Sequence, residues 1–561
     1  MSQKSLKYQS IAKVLIFIGI IFMVNIIGNF VFGTIDLTEE KRFTLTDPTK
    51  KVLKELDDIV YVKVLLDGEL PAGIKRLQKA TQEMLDDFRG QSGYVEYSFE
   101  NPLEGTGEEV NNNKKFLAKS FIMPNNLIVQ GKEDKREMLF YTYAILTYKG
   151  QSLPLNLVDQ KGGNLSEFVI NNSISLLEYK LADAIVKIQK TLKPTVAFTT
   201  GHGELKELQT QDIRQTLLPY YKVGTFDLDS ATYISQNVEV LIIAKPRETF
   251  PIKHKFMIDQ YIMNGGNVMW LLDKLAVNMD SLRNPQFVPN EYALDLDDLL
   301  YNYGARIVPN LIMDQQCAKI ELQVDENGTK NYFDWYFQPI VSPETDHPMA
   351  KNLDGINFFF PSSIDTIRTA GPVKKTPILQ STERTLIKRS PLVLNFSDIL
   401  RNPLPADKWN KGKQTFALLL EGNFTSEYKG RLTTQMREML TQIDQPFKGE
   451  SSDTKQLVIS DGDLIKNLIY PNNKEAVPLG YNQDMRYTFA NKPFLVNAIE
   501  YMMDGSGVME ARSKDVKLRL LDKGKASQER RFWQFLNILV PLILLLLFGI
   551  LFNYIRKRKY A

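Results

Sequence analysis

The stretch Phe532 to Ile555, FWQFLNILVPLILLLLFGILFNYI, constrains this chain more than any other. It carries no charge, and as a helix rising about 1.5 Å per residue it reaches roughly 36 Å, enough to cross a bilayer core of about 30 Å with some tilt. Arg556-Lys557-Arg558-Lys559 follows, with no acid before Ala561. Basic flanks stay on the cytoplasmic side, so residues 556–561 are expected inside as a tail and the preceding chain outside. Trp533 and Tyr554 stand near the two ends, where amphipathic rings favour the headgroup level. Arg530-Arg531 on the outer side runs against this rule, and Glu529 partly offsets it.

The N-terminus reads the same way. Residues 1–13 form a tail with Lys4, Lys7 and Lys13, and residues 14–32, VLIFIGIIFMVNIIGNFVF, make a second apolar run without an acid. The run is longer than a signal-peptide core and no A-x-A-like site follows, so an uncleaved anchor is expected. Asn25 and Asn29, four apart, share a helical face and are expected to contact another membrane helix. The expected architecture is one anchoring helix at each end, both termini cytoplasmic, and residues 33–531 held outside.

The outer part is long enough for two to four domains. The whole chain's 43% hydrophobic and 24% charged residues are values of a folded, not a disordered, chain. The net charge of +3, from 69 basic and 66 acidic residues, gives no case for nucleic-acid binding. A single cysteine, Cys317, rules out an intramolecular disulfide. His202, His254 and His347 show no metal-ligand spacing, and neither a metal nor a cofactor is expected.

Taken in order, residues 33–163 read as a first α/β domain. In RFTLTDPTKKVLKELDD, Thr46 or Asp47 can cap a helix that has Pro48 in its first turn. The strand 59–67, the helical stretch from Ile74 to Phe88 and the strand 94–102 then form a crossover unit, with further strands at 125–130 and 137–146. The pattern looks thioredoxin-like, but without C-x-x-C it has no dithiol chemistry. A connecting helix over 164–192 carries Ile170, Ile174, Leu177, Leu181, Ile185 and Ile188 on one stripe.

Residues 193–507 read as a doubly wound α/β domain. Its strands are short apolar runs, as a sheet covered on both faces requires: 195–200, 222–228, 238–244 and 267–273. Runs at 415–422 and 456–463 look like returning strands, 315–380 like an insertion without clear period, and 424–447 like a surface segment. A helix starting near Asn491 closes the domain, and 508–531 is a basic linker back to the membrane.

Ligands of such sheets bind beyond the carboxyl ends of the strands. Those ends carry His202, Glu204, Lys245, Arg247, Asp273, Asp461 and Asp463, a candidate rim for a ligand or partner. The same residues also suit caps and turns. No G-x-S-x-G or G-x-C-x-G elbow and no G-x-x-x-x-G-K-[ST] loop occurs, so no catalytic residue is expected and any ATPase lies in another subunit.

The membrane-flanked layout, together with RFTLTDPTKKVLKELDD, VAFTTGHGE, IIAKPRETF, IDQYIMNGGNVMWLLD, VISDGD and NKPFLVNAIEYMM, resembles the GldG family across nearly the whole chain. These are gliding-motility-associated auxiliary, substrate-binding-type components of an ABC transporter in Bacteroidota. The resemblance implies a polytopic permease of the GldF type, a cytoplasmic ATPase of the GldA type, an inner-membrane location and periplasmic outer domains. It also implies an amidotransferase-like middle sheet without the catalytic cysteine. The expected role is therefore a non-enzymatic subunit. A hydrolase of envelope glycan or peptide at the His202 rim, or a purely structural scaffold, is the alternative.

Overall fold

The computed structural model describes residues 15–23, 44–120, 122–130, 135–158, 166–190, 192–283, 286–323, 330–394, 405–442, 445–470, 475–513 and 527–560. It divides into two units, Met1–Lys514 and Asp515–Ala561. Residues 15–23 are helical, whereas Asn25 and Asn29 lie outside the described residues.

In the first domain, α1 (Asp47–Lys54) leads to β1 (Val60–Val64), α2 (Ala72–Gln91) and β2 (Val95–Phe99). Alternation decides the faces: Val60, Val62 and Val64 are buried while Tyr61 and Lys63 are not. On α2, Ile74, Leu77, Leu85 and Phe88 recur at helical spacing and cover them. β1 pairs parallel with β2 and antiparallel with β3 (Tyr143–Tyr148), which turns into β4 (Gln151–Asn156), giving the order β2-β1-β3-β4. A separate hairpin joins Asn125–Gln130 to Lys135–Phe140.

The expected single connecting helix is two, α3 (Glu167–Ser175) and α4 (Leu177–Gln189). Leu176 marks the break, closing the first helix and opening the second, and its side chain is buried. On α4, Lys187 Nζ meets Asp183 and Glu500 at 2.6 Å each, and Tyr179 donates to Glu500 at 2.6 Å. Glu500 belongs to α8 (introduced below), so a buried ion cluster fastens the connector to the second domain.

That domain is built on β5 (Thr195–Thr200), α5 (Gln211–Leu217), β6 (Lys222–Asp227), β7 (Val238–Ala244), α6 (Ile252–Met263), β8 (Asn267–Leu271) and α7 (Asp297–Tyr303). β9 (Lys330–Val341) and β10 (Ile356–Asn357) pair with each other outside the main sheet. β11 (Val373–Gln380), β12 (Thr415–Gly422), β13 (Thr454–Ile459) and α8 (Asn491–Met503) complete the domain. The sheet order is β11-β12-β13-β8-β7-β5-β6. Its five parallel strands thus run second, first, third, fourth, fifth, the doubly wound order with a switch point between β5 and β7. β12 and β11 extend the sheet antiparallel.

Both faces are covered, which is why the strands are continuously apolar. Val240, Ile242, Met269 and Leu457 face Ile213 and Leu217 of α5 and Phe494, Leu495, Ala498 and Ile499 of α8. Leu241, Ile243, Trp270 and Val458 face Met257, Ile258 and Ile262 of α6 and Leu299, Leu300 and Tyr303 of α7. The segment 315–380 is an insertion only in part, because its last residues form the edge strand β11. Pro377 lacks an N–H and interrupts the register there, as an edge tolerates.

The second unit is α9 (Arg530–Tyr560), with Pro541 inside and its apolar side chains exposed. It is the one candidate membrane span among the described residues. Deleting residues 527–561 should move the protein from the membrane pellet toward the soluble fraction. An unchanged pellet after carbonate washing would show that another part of the chain carries the anchoring.

Candidate functional site

The carboxyl ends of the parallel strands meet in a buried charge cluster. β7 runs straight into Lys245, whose backbone takes a left-handed φ of 53°. Lys245 Nζ lies 2.9 Å from Asp273 Oδ2 and also bonds Asp463. The second oxygen of Asp273 accepts the Gly462 N–H at 2.6 Å. Asp461 accepts the N–H groups of Phe359 at 2.6 Å and Asp463 at 2.8 Å, and Lys466 stands 3.3 Å from Asp463. The glycine of the Asp-Gly-Asp turn is required by close approach: a Cβ on Gly462 would meet Lys245 Cβ and Cγ at 2.7 Å.

Two lysines face three aspartates here, and the environment sorts the protons. Burial, reinforced by Asp273 and Asp463, pushes the Asp461 carboxyl well up. Burial also lifts Asp273, with Lys245 opposing it. Burial works on Asp463 in the same sense, yet Lys245 and Lys466 outweigh it and hold that carboxyl low. Burial disfavours the Lys245 charge, but Asp273 and Asp463 outweigh it and keep the ammonium charged. With the proton on Asp461 the cluster is neutral.

Above Lys245 and Asp463 opens a cavity of about 590 Å³. Gln338, Asn357 and Phe359 form one wall, with Tyr292, Tyr481, Asp484 and Arg247 also lining it. β9 and β10 place that wall: Ile340 pairs with Asn357, so Gln338, Asn357 and Phe359 share a face. Gln338 is only 6% exposed and makes no side-chain hydrogen bond to the described residues, and Asn357 Oδ1 is buried without a partner. Such groups in a native cavity call for a ligand or water.

The rim expected from the strand ends is therefore divided. Lys245, Arg247 and Asp463 line the cavity, while Asp273 and Asp461 do not reach it. His202 and Glu204 form a separate, closed group. His202 is 1% exposed, stacks on Phe250 at 3.7 Å between centroids, and bonds His254 Nδ1 through Nε2 at 2.9 Å. Its other nitrogen is 3.4 Å from Glu204, and its backbone N–H donates to the same carboxylate at 2.7 Å. The expected open histidine is thus a core residue, because Phe250 and α6 cover the switch-point loop. His202→Ala should cost about 2–4 kcal/mol, by lost packing and an orphaned His254 nitrogen. A melting temperature within 1 °C (about) of wild type would contradict this placement.

Gln338, Asn357 and Phe359 were not legible beforehand, since the insertion carries no periodicity and its residues meet the strand ends only through β9 and β10. Nothing in the sequence pairs His254 with His202, because the contact is made only when α6 packs over the switch-point loop.

The second domain is a doubly wound α/β domain with a polar cavity at the carboxyl edge of its sheet. The model of the family described as an ABC-type uncharacterized transport system matches residues 193–498, and the chain belongs to that family. It has a transporter-associated auxiliary role and is associated with an ABC transport system. A domain of unknown function matches residues 39–147. An uncharacterized protein of Borreliella burgdorferi is 22% identical over 439 residues, 75% of this chain and 79% of that protein. Among solved structures, the mmIFT52 N-terminal domain is similar at 12% identity and a TM-score of 0.31, covering 55% of this chain and 98% of that one.

Proposed function

We propose that the chain is a non-enzymatic, ligand-binding auxiliary subunit of an ABC transport complex, held by membrane anchors with its α/β domains outside. The observation that carries this reading is the cavity at the strand ends, where Gln338 and Asn357 form a wall above Lys245 and Asp463. The closed state of His202 weighs against catalysis there. The finer assignment is to the gliding-motility type, with a GldF-type permease and a GldA-type ATPase as partners at a bacterial inner membrane. The order β2-β1-β3-β4 supports a thioredoxin-like first domain over 33–163, and the five-strand order an amidotransferase-like domain over 193–507.

Purification of the full chain in mild detergent should bring a polytopic permease and an ATPase with it, identified by mass spectrometry. Recovery of the chain alone, from membranes where those subunits are intact, would count against the assignment. In the same reading both termini are cytoplasmic, so reporter fusions at Ala561 and near Asp504 should give opposite signals; equal signals would overturn the topology.

A further inference from the structure

The ionic groups of the cavity are paired unevenly. At the floor, Lys245, Asp463 and Lys466 satisfy one another. Among the described lining residues, the charged side chains left without an ion-pair partner are Arg247 and Asp484. Arg247 is exposed and its guanidinium makes no hydrogen bond to the described residues. Asp484 is half-buried; its carboxyl takes the Glu321 backbone N–H and feels the Lys330 charge without pairing with it. The wall adds two amides: Gln338, directly across from Phe359, and Asn357, two residues along the same face, whose Oδ1 is buried without a partner.

Resting on the cavity as the binding site, we infer that its ligand is a small zwitterion of peptide type. A carboxylate pairs with Arg247, whose planar fork suits two-oxygen recognition. An ammonium group pairs with Asp484. A backbone amide of the ligand meets the Gln338 amide, while the Phe359 ring packs on the apolar part. A neutral polyol would satisfy the amides but leave both charges unpaired. A polyphosphate would meet Asp463 and Asp484 with like charge. The volume of about 590 Å³ falls within the range of ordinary small-molecule sites.

Calorimetric titration of the full chain in detergent tests this with three probes: trialanine, N-acetyl-trialanine amide and cellobiose. Trialanine should bind, and the capped peptide, which keeps the backbone amides but loses both charges, should bind roughly tenfold or more weakly. Arg247→Gln and Asp484→Asn, both at accessible positions, should each weaken trialanine and leave the capped peptide unchanged. Equal binding of the two peptides overturns the zwitterion assignment. Binding of cellobiose without trialanine overturns the peptide class while leaving the cavity as a binding site. Failure of all three probes also overturns the peptide class, and the cavity reading is then decided by the substitution of its wall described at the end of the Discussion.

Discussion

Lys245→Met should destabilise the second domain by about 3–5 kcal/mol at neutral pH, one of the two largest effects expected in this molecule. Removing the ammonium leaves Asp273 and Asp463 buried against each other, with Asp461 behind them. A buried charge without a partner is far more costly than the pair was favourable. The sign of the pH dependence follows. In the variant the folded-state carboxyls lie well above their unfolded values, so the folded form binds more protons, and the deficit should shrink as the pH is lowered from 7.5 toward 5 (about). Lys466→Met removes a cation that is 36% exposed and should cost about 1 kcal/mol or less. Urea titrations of the three proteins at two pH values separate the cases. A Lys245→Met deficit no larger than that of Lys466→Met would mean the cluster is open to water.

The second large effect lies between the domains. Lys187→Met should cost about 3–5 kcal/mol by the same argument, since it strands Asp183 and Glu500. Lys187 and Glu500 side chains are each 11% exposed, and the ammonium also sits 4.7 Å from the Tyr220 ring centre. Because Glu500 is on α8 and Lys187 on α4, the loss should loosen the connector from the second domain as well as lower its stability. Limited proteolysis should then cut near residues 190–194 faster than in wild type. Burial already lifts the Asp183 carboxyl to about 6, with Lys187 opposing. Without Lys187 both carboxyls take up protons at higher pH than in the intact cluster, so the Lys187→Met deficit should already be shrinking as the pH is lowered from neutrality toward about 6. A deficit independent of pH would contradict a charge-based lock.

The strands of the main sheet were legible because burial on both faces forces apolar runs that few other structures need. Thr195–Thr200, Val238–Ala244 and Thr415–Gly422 have the limits read from the sequence. β11 was hidden, since an edge strand is half wetted and carries Lys374, Lys375 and Pro377. The two-part connector was also hidden, because the apolar stripe of α3 and α4 continues through the break at Leu176. At the site, strand-end position named Lys245, Asp273, Asp461 and Asp463 of the charge cluster but not Lys466, and gave no sign of which residues line the cavity. That division depends on burial: Asp461 is fully covered and accepts two backbone N–H groups, whereas Arg247 is open. The cavity wall came from a region with no repeat of two or of 3.6, where position in the chain says nothing about position in space.

The most direct test of the central claim is the double substitution Gln338→Met and Asn357→Leu, which fills the same volume with apolar atoms. Replacing unpaired buried amides in this way should leave the melting temperature unchanged or raise it. If the cavity is the ligand site of the transport complex, the variant should still copurify with its permease and ATPase but fail to rescue a strain lacking the protein. Full rescue by a folded, correctly assembled double variant would contradict the account.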